Sequence, residues 1–231
     1  QPGERHVRVD GLHVRLIPQV SAVKDRRLTG MCQHGDMLLR RMVGAMCAAV
    51  SVPLAVPFAM PVAAAQPCPD IEVIFARGTG APAGLGWLGD EFVESLRGKV
   101  GDRTVGAYAV NYPASFDFDT SAPAGAADAA GRVRYMADNC PDTKLVLGGN
   151  SQGAGVIDLI TVDPKPLGRF TPTPMPPDVA EHVAAVAVFG NPLRDIRGGG
   201  PLPELSGVYG PKTIDLCGLD DPFCSSGLNF A

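Results

Sequence analysis

A pentapeptide at 149–153, Gly-Asn-Ser-Gln-Gly, carries the clearest chemical signal in this sequence. It fits the pattern G-x-S-x-G, in which a serine occupies a strained strand-to-helix turn that keeps its hydroxyl clear of the backbone. The pattern has meaning only between a strand and a helix. An apolar run at 144–148 precedes it and a helical pattern at 152–160 follows it. We therefore predict that Ser151 is a nucleophile, the alternative being an ordinary glycine-rich turn.

A nucleophilic serine needs a base, and the base needs an acid that orients it. In folds with this motif the chain order is Ser, then Asp or Glu, then His. Asp220 and Asp221 come late in the chain, between Cys217 and Cys224. A disulfide there would fix a carboxylate in place. The alternative is a solvated turn, because Asp-Asp-Pro is also typical of turns.

No suitable histidine follows these acids. Three of the four histidines lie near the start of the chain, at His6, His13 and His34. The fourth, His182, directly precedes an apolar run at 183–189 and so lies at the amino end of a predicted strand. Ser151 follows the carboxyl end of its own strand, and these two ends of a parallel sheet are about 20 Å apart. We expect His182 to be a surface or helix-end residue.

Alternating strands and helices must position these residues. Short apolar runs predict five strands, at 71–76, 105–110, 144–148, 183–189 and 212–216. Helical spacing predicts helices at 87–100, 124–139 and 152–160. The alternation predicts an α/β fold with a parallel sheet covered on both faces. Ligands bind beyond the carboxyl ends of such strands. The proline-rich segment at 163–177 is expected to be an irregular surface excursion.

Composition and charge exclude several classes of protein. With 45% hydrophobic residues, the chain is too apolar to be disordered. Its net charge of −4 argues against a nucleic-acid binder. The charge is uneven, with 8 Lys and Arg against 4 Asp and Glu in residues 1–65, and 12 against 20 in residues 66–231. A basic head before an acidic body predicts that the head is not part of the folded domain.

The head contains the pattern of a secretory signal peptide. Arg40 and Arg41 precede an apolar run at 42–65, which ends in three alanines. We predict a signal peptide at 37–65 and a mature chain that starts at Gln66. A membrane anchor is the alternative, but Pro53, Pro57 and Pro61 would break a spanning helix. Residues 1–36 are interpreted as an upstream segment that is either not translated or disordered, and residues 66–231 as the folded domain.

Four of the six cysteines fall in this domain. An even number in an exported protein indicates disulfides. Cys217 and Cys224 are seven residues apart and form a natural local pair, which leaves Cys68 with Cys140. A zinc site would need ligand spacing that these cysteines and histidines do not have, so no metal and no cofactor is expected.

The sequence over residues 68–231 resembles the cutinase family of serine esterases, most closely its mycobacterial members. The resemblance depends on six segments in the family's order: Cys68-Pro-Asp, Phe75-Ala-Arg-Gly-Thr79, Val110-Asn-Tyr-Pro-Ala114, Gly149-Asn-Ser-Gln-Gly153, Phe189-Gly-Asn-Pro192 and the 217–224 cysteine pair around Asp221. It implies a cutinase-type α/β-hydrolase fold, a three-layer sandwich with a central five-stranded parallel sheet. It also implies the two disulfides named above.

The resemblance assigns a role to each matching residue. Ser151 matches the family's nucleophile and Asp221, rather than Asp220, its triad acid. Thr79 and the backbone N–H of Gln152 match the two donors of the oxyanion hole. One departure is Asn150, where fungal members often have tyrosine. The more serious departure is that the family's histidine lies beyond the acid by more residues than the ten that follow Asp221 here. We expect the histidine loop and the closing helix to be missing from residues 1–231.

The sequence type thus implies a secreted serine esterase that forms an acyl-enzyme on Ser151. The alternative is a non-catalytic secreted fragment or decayed enzyme, because the histidine is missing; a serine peptidase is a weaker third reading. The expected partners are an ester or lipid substrate and, transiently, a lipid surface. We expect a monomer that does not bind nucleic acid and that is extracellular or associated with the cell wall.

Overall fold

The computed structural model describes residues 7–9, 12–14, 67–219 and 221–225. In the upstream segment, where the sequence predicted no regular structure, it contains two paired strands, β1 (Val7–Val9) and β2 (Leu12–Val14). The predicted signal peptide, its cleavage site and Asp220 lie outside the described residues. No helix among the described residues is long and apolar enough to span a membrane.

A five-stranded parallel sheet forms the centre of the part described by residues 67–219 and 221–225, as the sequence predicted. In sheet order the strands are β4 (Val105–Ala109), β3 (Ile71–Ala76), β5 (Lys144–Asn150), β6 (Val183–Phe189) and β7 (Thr213–Leu216). Every neighbouring pair is parallel. The carboxyl ends of all five strands therefore meet at one edge, where the site is expected.

Helices cover both faces of the sheet. The three long ones are α1 (Gly86–Arg97), α2 (Phe118–Asn139) and α3 (Gln152–Thr161), and two single-turn helices follow, α4 (Pro177–Ala180) and α5 (Leu202–Leu205). Alternate residues of β3 separate into two hydrophobic clusters, one packed with α1 and the other with α2 and α3. The side chains of a strand point alternately to its two faces, so these clusters form the two interfaces of a three-layer sandwich.

Helix α2 begins six residues earlier than the sequence predicted. The predicted helix began at 124, where an alanine-rich run starts directly after Pro123. Proline removes one N–H donor from a helix interior, but Ser121 and Ala122 are buried and keep these first turns on the core. The earlier start brings Phe118 and Ala122 to the carboxyl edge of the sheet, where both line the cavity described below.

A buried ion pair joins β3 to α2. Both carboxylate oxygens of Glu72 accept hydrogen bonds from Arg132, at 2.7 and 2.6 Å. Glu72 is buried, and the guanidinium of Arg132 lies between two aromatic rings, 4.8 Å from the centroid of Tyr108 and 5.0 Å from that of Tyr135. The pair connects elements that are 60 residues apart in the chain.

Removing one partner of this pair should be costly. We expect Glu72→Ala to lower the free energy of unfolding by about 3 kcal/mol, because the mutation leaves Arg132 without its counter-ion in a mostly buried position. Denaturant unfolding followed by circular dichroism measures the change. The matched control is Glu94→Ala, which breaks an exposed pair with Arg97 and should change the free energy by less than about 1 kcal/mol. Equal effects of the two substitutions would contradict the prediction.

Both expected disulfides are present. Cys68–Cys140 joins the segment before β3 to the end of α2, across a sequence separation of 72 residues. The chain-entropy model assigns such a closure about 4 kcal/mol of stabilisation. Cys217–Cys224 closes the short loop that follows β7. This second disulfide constrains the segment that contains Asp221.

Candidate active site

Ser151 lies in a strained turn between β5 and α3. Its φ of 54° and ψ of −118° fall in a region that residues with side chains rarely adopt. Its N–H donates to the carbonyl of Phe189 at 2.9 Å, which ties the turn to β6. A β-carbon at Gly149 would overlap the carbonyl of Gly153, and one at Gly153 would overlap the carbonyl oxygen of Ala76. The turn therefore requires glycine at both positions of the motif.

Two hydrogen-bond donors predicted for the oxyanion hole lie beside Ser151. Gln152 is the first residue of α3, so its backbone N–H has no acceptor within the helix. The segment after β3 passes against the serine, because a β-carbon at Gly78 would lie 3.7 Å from the β-carbon of Ser151. Thr79 follows and lines the same cavity as Ser151. Donors in this arrangement can stabilise negative charge on a substrate oxygen.

The disulfide loop places Asp221 at the same edge of the sheet. A β-carbon at Gly190, directly after β6, would lie 3.1 Å from Oδ2 of Asp221 and 3.9 Å from Oδ1 of Asn150. Oδ1 of Asp221 accepts the N–H of Phe223 at 2.9 Å. The carboxylate is thus fixed near the residue that precedes Ser151. Its role as the triad acid, and the choice of Asp221 over Asp220, stay predictions.

His182 lies at the opposite edge of the sheet, as expected. Its carbonyl accepts the N–H of Leu145, near the start of β5, whereas Ser151 follows the end of that strand. Its Nδ1 is 3.2 Å from the carbonyl oxygen of Pro141. Within 67–219 and 221–225 there is no other histidine. The described part of the site therefore contains the predicted nucleophile, the two predicted oxyanion donors and the predicted acid, but no histidine that could act as the base.

A cavity of about 680 Å³ opens at Ser151. Its walls are mostly apolar, with four phenylalanines and several aliphatic residues; the phenylalanines are Phe116, Phe118, Phe170 and Phe223. Phe116 and Phe223 are exposed at its entrance, to 80% and 65%. An apolar cavity beside the hydroxyl of Ser151 can hold the hydrocarbon part of a ligand.

Comparison with known proteins agrees with this geometry. The model of the cutinase family matches residues 67–231. The chain belongs to the cutinase family. It is 47% identical over 195 residues to Carboxylesterase Culp1 of Mycobacterium tuberculosis, covering 83% of this chain and 85% of that protein. It is 48% identical over 189 residues to Phospholipase Culp4 of the same organism, covering 82% and 80%.

Solved structures of this family and of related esterases share the fold. A Trichoderma reesei cutinase in complex with a C11Y4 phosphonate inhibitor is 30% identical, with a TM-score of 0.55 over 71% of this chain and 68% of that chain. The catalytic core domain of acetyl xylan esterase from Trichoderma reesei is 25% identical, with a TM-score of 0.56 over 71% and 89%. The predicted family and α/β-hydrolase-type fold are confirmed.

In this cutinase-family chain Arg77 fixes the loop that contains Thr79, a predicted oxyanion donor, to the segment that follows β4. It is buried and donates to the carbonyls of Ala81, at 2.9 Å, and Tyr112, at 2.7 Å. The guanidinium lies 5.0 Å from the ring centroid of Tyr112, whose hydroxyl donates to the carbonyl of Arg77. Burial raises the pKa of Tyr112 to about 12. An arginine directly after an apolar strand was the available sequence signal, but its partners could not be read from it.

The side chain of Gln152 also forms two hydrogen bonds that the sequence analysis did not predict. Its Nε2 donates to the carbonyl of Ser115 at 2.8 Å, and its Oε1 accepts from Oγ of Ser121 at 3.0 Å. Oγ of Ser121 in turn accepts the N–H of Ser115. Gln152 therefore anchors its own backbone N–H, the expected oxyanion donor, to the start of α2.

A buried acidic cluster lies beneath this end of the sheet. Oδ2 of Asp158 accepts Nδ2 of Asn191 at 2.8 Å, and the same Nδ2 is 3.3 Å from Oδ2 of Asp215. Arg194 donates to Oδ1 of Asp215 at 2.9 Å. Asp158 is completely buried, and this burial raises its pKa well above the ordinary value, with a further contribution from Asp215. Burial therefore favours the protonated form of Asp158 in the folded protein.

The raised pKa of Asp158 makes stability depend on pH. Folding keeps a proton on Asp158 that the unfolded chain releases above its ordinary pKa of 3.8, so this residue costs stability as the pH rises from there toward the folded-state pKa. Asp158→Asn removes the titration. We expect the Tm of the variant minus that of the wild type to increase between pH 4 and pH 8 in thermal unfolding.

Asp138→Asn, at an exposed position of α2, is the matched control and should show a difference that does not change with pH. If the difference for Asp158→Asn were flat or decreased with pH, Asp158 would be ionised in the folded protein.

Proposed function

We propose that this protein hydrolyses carboxylic esters through an acyl-enzyme on Ser151. The strained turn carries the proposal, because it presents the hydroxyl of Ser151 next to Thr79 and the free N–H of Gln152. Oγ of Ser151 would attack the ester carbonyl, and the two donors would bind the resulting oxyanion. Collapse of this intermediate would release the alcohol, and water would then hydrolyse the acyl-enzyme.

The acid of the mechanism would be Asp221. Its carboxylate would orient a histidine, which takes the proton from Ser151 and gives it to the leaving alcohol. The position of Asp221 beside Gly190 and Asn150 supports this role. The histidine itself is not among residues 67–219 or 221–225 at this edge of the sheet.

The substrate class would be an ester with an apolar acyl group. The apolar cavity supports this choice, as do the relatives named a carboxylesterase and a phospholipase. The exposed Phe116 and Phe223 would contact a lipid surface transiently during catalysis. Two disulfides fit an oxidising compartment, so we propose that the protein is secreted, or associated with the cell wall, and acts as a monomer.

Two measurements test this function on a full-length form, by which we mean residues 66–231 followed by a family-like tail that carries the histidine. Hydrolysis of p-nitrophenyl butyrate should be saturable, and a p-nitrophenyl phosphonate should inhibit it by adding to one residue. Peptide mass mapping should locate that adduct on Ser151. An adduct on another residue, or ester hydrolysis that survives complete labelling of Ser151, would contradict the proposal. Hydrolysis of peptide substrates but not of esters would favour a serine peptidase.

The alternative is a catalytically inactive secreted fragment, and a polypeptide of residues 66–231 discriminates the two. It has no histidine near Ser151, so we expect ester hydrolysis barely above background, because loss of one triad member leaves only about 10³–10⁴-fold catalysis over water. Adding a family-like tail that carries a histidine should restore turnover in the same spectrophotometric assay. Rates equal to those of the full-length protein without that tail would indicate another base, and His182 would then be mutated first.

A further inference from the structure

The cavity at Ser151 continues along one face of α3. Ser151, Gly155 and Leu159 all line it, at intervals of four residues, which places them above one another on the helix surface. With a rise of 1.5 Å per residue, Gly155 lies about 6 Å and Leu159 about 12 Å along the helix from the level of Ser151. The cavity is therefore a channel that runs along α3 from Ser151 to Leu159.

Apolar side chains form the walls of this channel. Phe118 and Ala122 of α2 lie on one side, and Leu193 and Ile196 on another. Arg169 is the one charged side chain among the described residues that line it, and its Nε donates to Oδ1 of Asp119 at 2.7 Å. Both members of this ion pair are 60% exposed. Asp119 is in the first turn of α2, so the pair lies at solvent near the carboxyl edge of the sheet, where Ser151 also lies.

Gly155 keeps the channel open one turn below the serine. Glycine weakens a helix interior relative to alanine, so its presence inside α3 calls for a reason. A β-carbon at this position would contact Leu193 alone, at 3.5 Å, which is an ordinary van der Waals distance. Alanine would therefore fit, but a longer side chain would extend into the channel.

We propose that this channel binds an unbranched fatty acyl chain of about ten carbons and that Gly155 determines the accepted length. An extended alkyl chain advances about 1.25 Å per carbon, the projection of a 1.5 Å bond. The 12 Å from Ser151 to Leu159 then corresponds to about ten carbons. Leu159 is the last residue of α3 that lines the cavity, so further carbons would gain no additional apolar contact along this helix. The proposal rests on the esterase function and specifies the acyl part of its substrate.

Chain-length profiles of the full-length protein test the proposal. We would measure kcat/KM for p-nitrophenyl esters of two to sixteen carbons, below the concentrations at which they form micelles. For the wild type, kcat/KM should rise with acyl length up to about ten carbons and then level off, because each buried methylene adds favourable transfer energy.

Substitutions at Gly155 and Leu159 should lower the acyl length at which kcat/KM levels off, and by different amounts. Gly155→Leu should make it level off near four carbons and lower the preference for decanoyl over butyryl esters at least about tenfold. Leu159→Phe should lower the length at which kcat/KM levels off only to about eight carbons. Gly155→Ala should change the profile little. The matched control is Gly131→Leu, at an exposed position of α2 where a β-carbon would meet nothing within 4 Å, and its profile should equal that of the wild type.

The outcomes separate the channel from the esterase function. Hydrolysis of butyryl esters with an unchanged profile in Gly155→Leu would overturn the channel and leave the function intact. If no ester is hydrolysed, the proposed esterase function is wrong. Displacement of a bound fluorescent fatty acid by alkanoates then tests the channel without any ester hydrolysis. Decanoate should then displace the fluorescent fatty acid from the wild type but not from Gly155→Leu. Equal displacement by decanoate from the wild type and from Gly155→Leu would overturn the proposal.

Discussion

Replacing Ser151 with alanine should lower kcat for p-nitrophenyl butyrate by about 10⁶-fold in the full-length protein. The variant has no oxygen that could form the acyl-enzyme, so only the donors of the oxyanion hole and substrate binding contribute to the residual rate. The fold should persist, because the alanine side chain occupies the same position in a turn defined by Gly149 and Gly153. Initial rates and the Tm measure the two effects.

Ser95→Ala, on the exposed side of α1, is the matched control and should leave both values unchanged. If Ser151→Ala retained more than a few per cent of wild-type activity with an intact fold, Ser151 would not be the nucleophile. A variant that loses activity together with its Tm would be uninformative by itself. The phosphonate adduct on the wild-type protein then decides, because it identifies the nucleophile without any substitution.

The second large effect is expected at Asp221. Asp221→Asn should lower kcat by about 10⁴-fold with little change in KM, because an amide cannot hold the catalytic histidine in the required tautomer or stabilise its charged form. The substitution keeps the size of the side chain and the hydrogen bond that its Oδ1 accepts from Phe223. Steady-state kinetics against p-nitrophenyl butyrate separates the effects on kcat and KM.

Asp220→Asn serves as the control, since it changes the neighbouring carboxylate in the same disulfide loop. Its effect on kcat should be far smaller. If the two effects were reversed, Asp220 would be the acid, and the match to the cutinase family at this position would be wrong by one residue.

The sequence predicted those features that depend on neighbouring residues. Runs of β-branched residues predicted β3 and β6 correctly because the strands of a parallel sheet are buried on both faces. The turn at Ser151 was predictable because only glycine fits on each side of it. The start of α2 was wrong by six residues because burial of Ser121 and Ala122 outweighs the local effect of Pro123.

The features that the sequence did not predict depend on distant partners. Glu72 meets Arg132 across 60 residues, and Arg77 meets the carbonyl of Tyr112 across 35. The anchoring of Gln152 to Ser115 is of the same kind. Such pairs follow from the order of strands in the sheet, which the pattern of a single sequence leaves undetermined. The cluster around Asp158 escaped prediction for the same reason.

The disulfide between Cys68 and Cys140 divides the chain into a covalently closed segment and the residues that follow it. Residues 68–140 become a covalent ring that contains β3, α1, β4 and α2, whereas Ser151 and Asp221 lie outside it. β5 pairs with β3 on the side away from β4. A chain that emerges from its amino end can therefore close the ring first and expose one edge of β3 as a template. The segment that contains Ser151 and Asp221 would then add its strands, beginning with β5, to a unit that the disulfide has already closed.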